Sequence, residues 1–283
     1  MVGLDTQSVA KDKFSGTRSR WQAGLDYVRD TPEVEDVVLS GGDAYLMKPE
    51  QIRFFGDALL DLPNVRRIRI ATKGPAVSPM KLLTDHEWVD ALVHLSAEGR
   101  RRHKQVSLHT HFSHPSEITS TTSEGLNLLF ERGVTVRNQG VLMRGVNDDA
   151  ETMKLLVRRL SRMNVQSYYI YQLDMVPGVE DLRTPLRTAL ELEKHVRGAT
   201  AGYQTPLFIV DALGGGGKRD VHSHEFYDRS TGISTFRSPN MDPEARYFHF
   251  DPIASLPEEG RARWKDPGEH EAMIREALAE NLS

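Results

Sequence analysis

Cysteine is missing from all 283 residues. That excludes disulfides and any thiolate metal site built from this chain. No apolar run approaches the length of about 18 residues that a membrane span needs. The opening residues, Met1-Val-Gly-Leu-Asp-Thr-Gln7, lack a basic stretch followed by an apolar core, so no secretory signal is read there. A basic excess is lacking too: the formal charge of −4 and pI near 6.3 argue against a nucleic-acid partner. The one basic run, Arg100-Arg-Arg-His-Lys104, reads as a solvated helix end or loop. These absences together predict a cytoplasmic protein with no membrane and no nucleic-acid partner. No low-complexity linker or composition shift splits the chain. With 39% hydrophobic and 27% charged residues it has the composition of an ordinary globular protein, and its length suits one large α/β unit.

What is present is an alternation of strand-like and helix-like segments. Helices are predicted at Arg18 to Asp30, Pro49 to Leu60, around Asp85 to Ser96, about Ser123 to Arg132, Asp149 to Met163 and Leu186 to Arg197. Strands are predicted at Asp36 to Ser40, Val65 to Ala71, Gln105 to His109, Val134 to Asn138, Gln166 to Gln172 and Leu207 to Val210. Repeated βα units imply parallel strands joined by crossovers. From Glu225 onward the pattern looks irregular and proline-punctuated until a closing helix near Glu269 to Glu280.

The run Asp211-Ala-Leu-Gly-Gly-Gly-Gly-Lys218 follows an apolar strand. Gly214, Gly215, Gly216 and Gly217 carry no Cβ, so their backbone can approach a flat or anionic ligand, and Lys218 can present its amine there. This is not a phosphate-binding Walker loop, because Ala212 stands where the first glycine is needed and Arg219 replaces the Ser or Thr. Other polar residues collect at strand ends: Ser40-Gly41-Gly42-Asp43, His109-Thr-His111-Phe-Ser-His114, Asn138-Gln139 and Tyr171-Gln-Leu-Asp174. Bare glycine backbone at 41–42 offers N–H and C=O groups to a small polar ligand, or simply makes a tight turn. His109 and His111 share one face of an extended segment, which suits either packing histidines or two zinc ligands. Asp174 and Asp211 on neighbouring strand ends would repel each other unless a cation lay between them.

Taken in order, these segments resemble the lysine 2,3-aminomutase family of radical S-adenosylmethionine enzymes. The resemblance is carried by Val37-Val-Leu-Ser-Gly-Gly-Asp43, His109-Thr-His-Phe-Ser-His-Pro-Ser-Glu-Ile-Thr119 and Asn138-Gln-Gly-Val-Leu-Met-Arg-Gly-Val-Asn-Asp148. It continues in Tyr168-Tyr-Ile-Tyr-Gln-Leu-Asp174, Leu182-Arg-Thr-Pro185, Arg197-Gly-Ala-Thr-Ala-Gly-Tyr203 and Phe208-Ile-Val-Asp-Ala-Leu-Gly-Gly-Gly-Gly-Lys218. The resemblance implies a partial TIM-like (β/α) barrel of the radical S-adenosylmethionine type over residues 1–220, with an extension, 221–283, packed on it. It implies pyridoxal phosphate attached to Lys218 beside Tyr171 and the 214–217 glycines, and S-adenosylmethionine held by Ser40, Gly41, Gly42 and Asp43 near His111 and Gln139. Asp174 and Asp211 would receive the side-chain ammonium of an amino acid, so the implied reaction moves the amino group of L-lysine from carbon 2 to carbon 3. A homo-oligomer is expected of the full-length protein.

The family also ligates a [4Fe–4S] cluster through Cys-x-x-x-Cys-x-x-Cys, and no such ligands exist here. The resemblance starts as though the first strand, the cluster loop and an upstream domain belonged before Met1-Val2-Gly3. Such a chain is expected to be inactive alone. Two other readings stand beside this one: a barrel metallohydrolase using His109, His111 and Asp211, and a non-catalytic pyridoxal phosphate-binding partner of an intact paralogue.

Overall fold

A computed structural model describes residues 16–40 and 42–280; Gly41, residues 1–15 and 281–283 lie outside the described residues. The chain runs α1 (Arg18–Asp30), β1 (Asp36–Leu39), α2 (Pro49–Asp61), β2 (Arg67–Ala71), short α3 (Gly74–Val77) and α4 (Lys81–Thr84), and α5 (His86–Arg101). It continues through β3 (Gln105–Thr110), α6 (Ser120–Glu131), β4 (Thr135–Leu142), α7 (Ala150–Arg162), β5 (Gln166–Gln172), α8 (Leu186–Val196) and β6 (Leu207–Ala212). Strands β1 to β6 pair in sequence order and all in parallel, as the repeated βα units predict.

Helices α5, α6 and α7 start where the sequence supplies a capping side chain. Asp85 accepts from Trp88 N ahead of α5, Thr119 from Thr122 N ahead of α6, and Asp149 from Thr152 N ahead of α7. In α7 the apolar residues Met153, Leu156, Val157 and Leu160 recur at helical spacing and are buried. They face the outer side of the sheet, where Ile68, Ile70, Val106, Leu108, Phe208 and Val210 are buried as well.

The other face of the sheet is polar. In β2 the sequence Arg67-Ile-Arg-Ile-Ala71 alternates, with the isoleucines fully buried and the arginines solvent-accessible. A strand covered by helices on one side and apolar on both is the rule for closed parallel sheets. Here the charged side lines open cavities, which is the first structural sign of where ligands belong.

Two parts of the sequence reading need correction. The glycine run is a tight hairpin, not an open loop: it joins β6 to an antiparallel strand β7 (Gly217–Asp220) at the edge of the sheet. The region after Glu225 is not irregular. Strands β8 (His224–Asp228), β9 (Ile233–Ser238) and β10 (Asp242–Phe250) form an antiparallel sheet in the order β10-β9-β8, followed by α9 (Glu258–Lys265) and α10 (Pro267–Glu280). The prolines disguised it. Pro243 sits in edge strand β10, where a missing N–H is tolerated, and Pro267 opens a helix.

Candidate functional site

Two adjoining cavities lie along the C-terminal ends of the parallel strands. The first, about 420 Å³, is lined by Ser40, Gly42 and Asp43 after β1, Thr72 and Lys73 after β2, and His109 and His111 of β3 and its loop. The second, about 630 Å³, is lined by Tyr169, Tyr171, Gln172 and Asp174 at the end of β5, with Asp211 of β6 and Lys218 of β7. Arg69, Gln139 and Tyr168 belong to both. Tyr168 reaches the seam because the β4–β5 register slips between Asn138–Ser167 and Gln139–Tyr169, leaving it as the extra residue.

The β6–β7 hairpin sets Lys218. Gly214, Gly215 and Gly217 have φ of 82°, 107° and 66°, which only glycine adopts freely. At Gly216 a Cβ would stand 2.5 Å from the Tyr247 ring and 2.7 Å from the Ala212 Cβ. The glycines therefore make the turn, while the second cavity is lined by Lys218 and not by them. Lys218 lies directly opposite Asp211, its Nζ 3.8 Å from Asp211 Oδ2 and 5.6 Å from the centre of the Tyr171 ring. Burial, and then the charge of Asp211, pushes the Asp174 carboxyl above its usual range, with Lys218 working against them. Burial, then the neighbouring tyrosines and both aspartates, pushes the Tyr171 phenol up, so it stays neutral.

A hydrogen-bonded line crosses the seam. Tyr168 donates to Gln139 Oε1 at 2.9 Å, so its oxygen accepts from His109 Nδ1 at 3.2 Å. His109 Nε2 then accepts from Ser107 Oγ at 3.0 Å. Burial, with the charges of Arg69 and Arg137, lowers His109 to about 4, so the ring is neutral and its tautomer fixed. The line uses up the Gln139 carbonyl and leaves its amide nitrogen for a ligand.

In the first cavity Asp43 accepts from the backbone N–H of Tyr45 (2.8 Å) and of Lys73 (3.2 Å), which joins the loops after β1 and β2. Lys73 donates to His111 O at 3.0 Å and pairs with Glu117 at 2.7 Å. Burial works to raise Glu117, but Lys73 and the Ser113 and His114 amides overcome it and hold the carboxyl low. Burial and then Lys73 push His111 down. Asn138 makes two bonds to the Phe112 backbone, at 2.7 Å to N and 3.1 Å to O, pinning the loop that carries His111. Sequence reading missed Lys73, Arg69 and Glu117. A Lys-Gly-Pro turn directly after β2 was the available signal for the first.

His109, His111 and Asp211 do not converge as metal ligands. His109 is spent on Ser107 and Tyr168, His111 bonds Ser113 Oγ at 3.1 Å, and Asp211 lines only the second cavity. No group of three His, Cys, Asp or Glu among the described residues is placed to hold a metal ion. No described helix is long and apolar enough to cross a membrane.

The chain is 42% identical over 202 residues to the L-lysine 2,3-aminomutase of Clostridium subterminale, covering 71% of this chain and 46% of that protein. It is 37% identical over 212 residues to the L-lysine 2,3-aminomutase of Bacillus subtilis, covering 73% and 43%. By sequence, the chain belongs to the lysine 2,3-aminomutase family. A glutamate 2,3-aminomutase of Clostridioides difficile is 34% identical over 217 residues, covering 77% of this chain and 49% of that protein. The chain spans about half the length of these curated relatives. No family model matches it. Among solved structures, Streptococcus suis SuiB superposes on 72% of this chain and 45% of its own, with a TM-score of 0.51 and 13% identity. The sheet thus shares the fold of that structure, a partial (β/α) barrel. Within this member of the lysine 2,3-aminomutase family, Lys218, Tyr171, Asp174 and Asp211 meet in one cavity, and Ser40, Gly42, Asp43, His111 and Gln139 in the next. Gly41 lies outside the described residues.

Proposed function

We propose that this chain carries the substrate half of a 2,3-aminomutase: it holds an amino acid with a cationic side chain, pyridoxal phosphate and S-adenosylmethionine in adjoining cavities. The observation that carries the reading is the meeting of Asp174, Asp211, Tyr171 and Lys218 around one cavity. Two carboxylates beside a single ammonium-bearing side chain, one of them pushed toward neutrality, form a subsite that lacks a cation. A substrate ammonium supplies it through charge-assisted hydrogen bonds.

The residues fit pyridoxal phosphate. Lys218 has its nearest carboxylate at 3.8 Å, longer than a formed hydrogen bond, so its amine is available for covalent attachment, and Tyr171 offers a neutral ring beside it. They also fit S-adenosylmethionine, whose polar methionine end suits Ser40, Gly42, Asp43, His111 and the free amide of Gln139 in the first cavity. When bound, the ring supplies an electron sink and S-adenosylmethionine the adenosyl group. They do not fit an iron–sulfur cluster: the chain has no cysteine, so no step is assigned to a cluster held by these residues. Tyr168, His109 and Gln139 fix the wall between the two cavities, and Asp174 with Asp211 orients the substrate along the second.

Glutamate-type relatives make the substrate a matter for test. Calorimetric titration of the pyridoxal phosphate-loaded chain is expected to give tighter binding of L-lysine than of L-glutamate, by about tenfold or more. Asp174→Lys should reverse that order. Tighter binding of glutamate by the unaltered chain would sink the assignment.

A further inference from the structure

The segment 173–185 between β5 and α8 carries Asp174, and the C-terminal sheet grips it. At its near end Gln172 Nε2 donates to Thr184 Oγ1 at 3.1 Å and to Thr184 O, closing the loop on itself. At its far end Arg183, only 4% exposed, pairs with Glu180 of the same loop at 2.9 Å and donates to Phe250 O in β10. Asp251, also 4% exposed, accepts from Leu186 N at 2.7 Å and from the Tyr227 hydroxyl at 2.7 Å. Tyr227 of β8 in turn accepts from Arg187 N at 3.1 Å. Phe250 N donates to Met175 Sδ at 3.3 Å, one residue beyond Asp174.

Burying a guanidinium and a carboxylate this deeply is costly unless each is bonded. Here the bonds of Arg183 to Phe250 O, of Leu186 N to Asp251, of Arg187 N to Tyr227 and of Phe250 N to Met175 tie the loop and the start of α8 to the C-terminal sheet and the residue that follows it. A loop free to move would let Asp174 drift from Asp211 and lose the paired geometry. We propose that Arg183 and Asp251 are positioning residues: they latch the 173–185 loop onto the C-terminal sheet and so fix Asp174 for the substrate ammonium. This rests on the substrate reading given above.

Hydrogen–deuterium exchange and L-lysine affinity in the 283-residue chain test it, with Arg183→Met, Asp251→Ala and Asp251→Asn. The first two should speed amide exchange over 174–185 by about tenfold while β2 to β4 stay as in the unaltered chain. They should weaken L-lysine by about tenfold or more, without changing pyridoxal phosphate attachment at Lys218. Asp251→Asn keeps an oxygen for Leu186 N and should restore slow exchange. Unchanged exchange over 174–185, an equal rise throughout the chain, or fast exchange with unaltered lysine affinity would each overturn the latch. If the unaltered chain binds no lysine at all, the substrate reading fails, and the exchange comparison still decides whether the latch exists.

Discussion

Lys218 and Asp211 face each other across the β6–β7 pair, with Nζ 3.8 Å from Oδ2. Strand pairing, and not loop flexibility, thus sets the distance between the amine and the carboxylate. The same carboxylate raises its neighbour Asp174, second only to burial. Asp211→Asn is therefore expected to lower Asp174 toward its usual range and to weaken L-lysine by about tenfold, at the modest end because the Asp211 side chain is 38% exposed. Attachment of pyridoxal phosphate should persist. Calorimetry on the variant, with adduct mapping alongside, separates the two effects, and loss of both together would contradict it.

The hairpin turn is a geometric requirement. Gly216→Ala pushes a methyl into the half-buried Tyr247 ring and the buried Ala212 Cβ. A loss of about 1–3 kcal/mol in urea-unfolding stability is expected from the overpacking. Yield of the Lys218 adduct should fall with it. A variant as stable as the parent would show that Tyr247 moves aside freely.

His109 gives a pH signature. Its folded value of about 4 lies below the ordinary 6.5, because burial and then Arg69 and Arg137 oppose the charged ring. The stability tied to the neutral ring is complete above 6.5 and is lost as pH falls through about 4. That window is worth on the order of 3 kcal/mol. His109→Gln, which cannot titrate, should flatten the urea midpoint between pH 6.5 and 4 relative to the parent chain. An equal slope in both would place the titration elsewhere.

Most of the barrel was legible because its strands and helices alternate with clean signals. Trp88 to Leu95 in α5 and Met153 to Leu160 in α7 repeat at helical spacing, and capping residues stand at Asp85, Thr119 and Asp149. The meeting of Asp174 with Asp211 could be read from strand ends alone. Tyr168 could not, because a register slip against β4 decides that it faces the seam. Lys73 and Glu117 were missed because their pairing joins loops 44 residues apart. The C-terminal sheet hid behind prolines that happen to sit at an edge strand and at turns, and its grip on Arg183 had no local signature.

Reductive trapping tests the central claim most directly. The chain is incubated with pyridoxal phosphate, reduced with borohydride and mapped by peptide mass spectrometry. Lys218 is the expected site, because Lys73 is tied to Glu117 at 2.7 Å and Lys194 lies in an exposed pair with Glu191 outside both cavities. A single adduct on Lys218, abolished in Lys218→Ala, is the predicted result. An adduct on Lys73 or Lys194 with Lys218 unmodified would contradict the assignment of the second cavity.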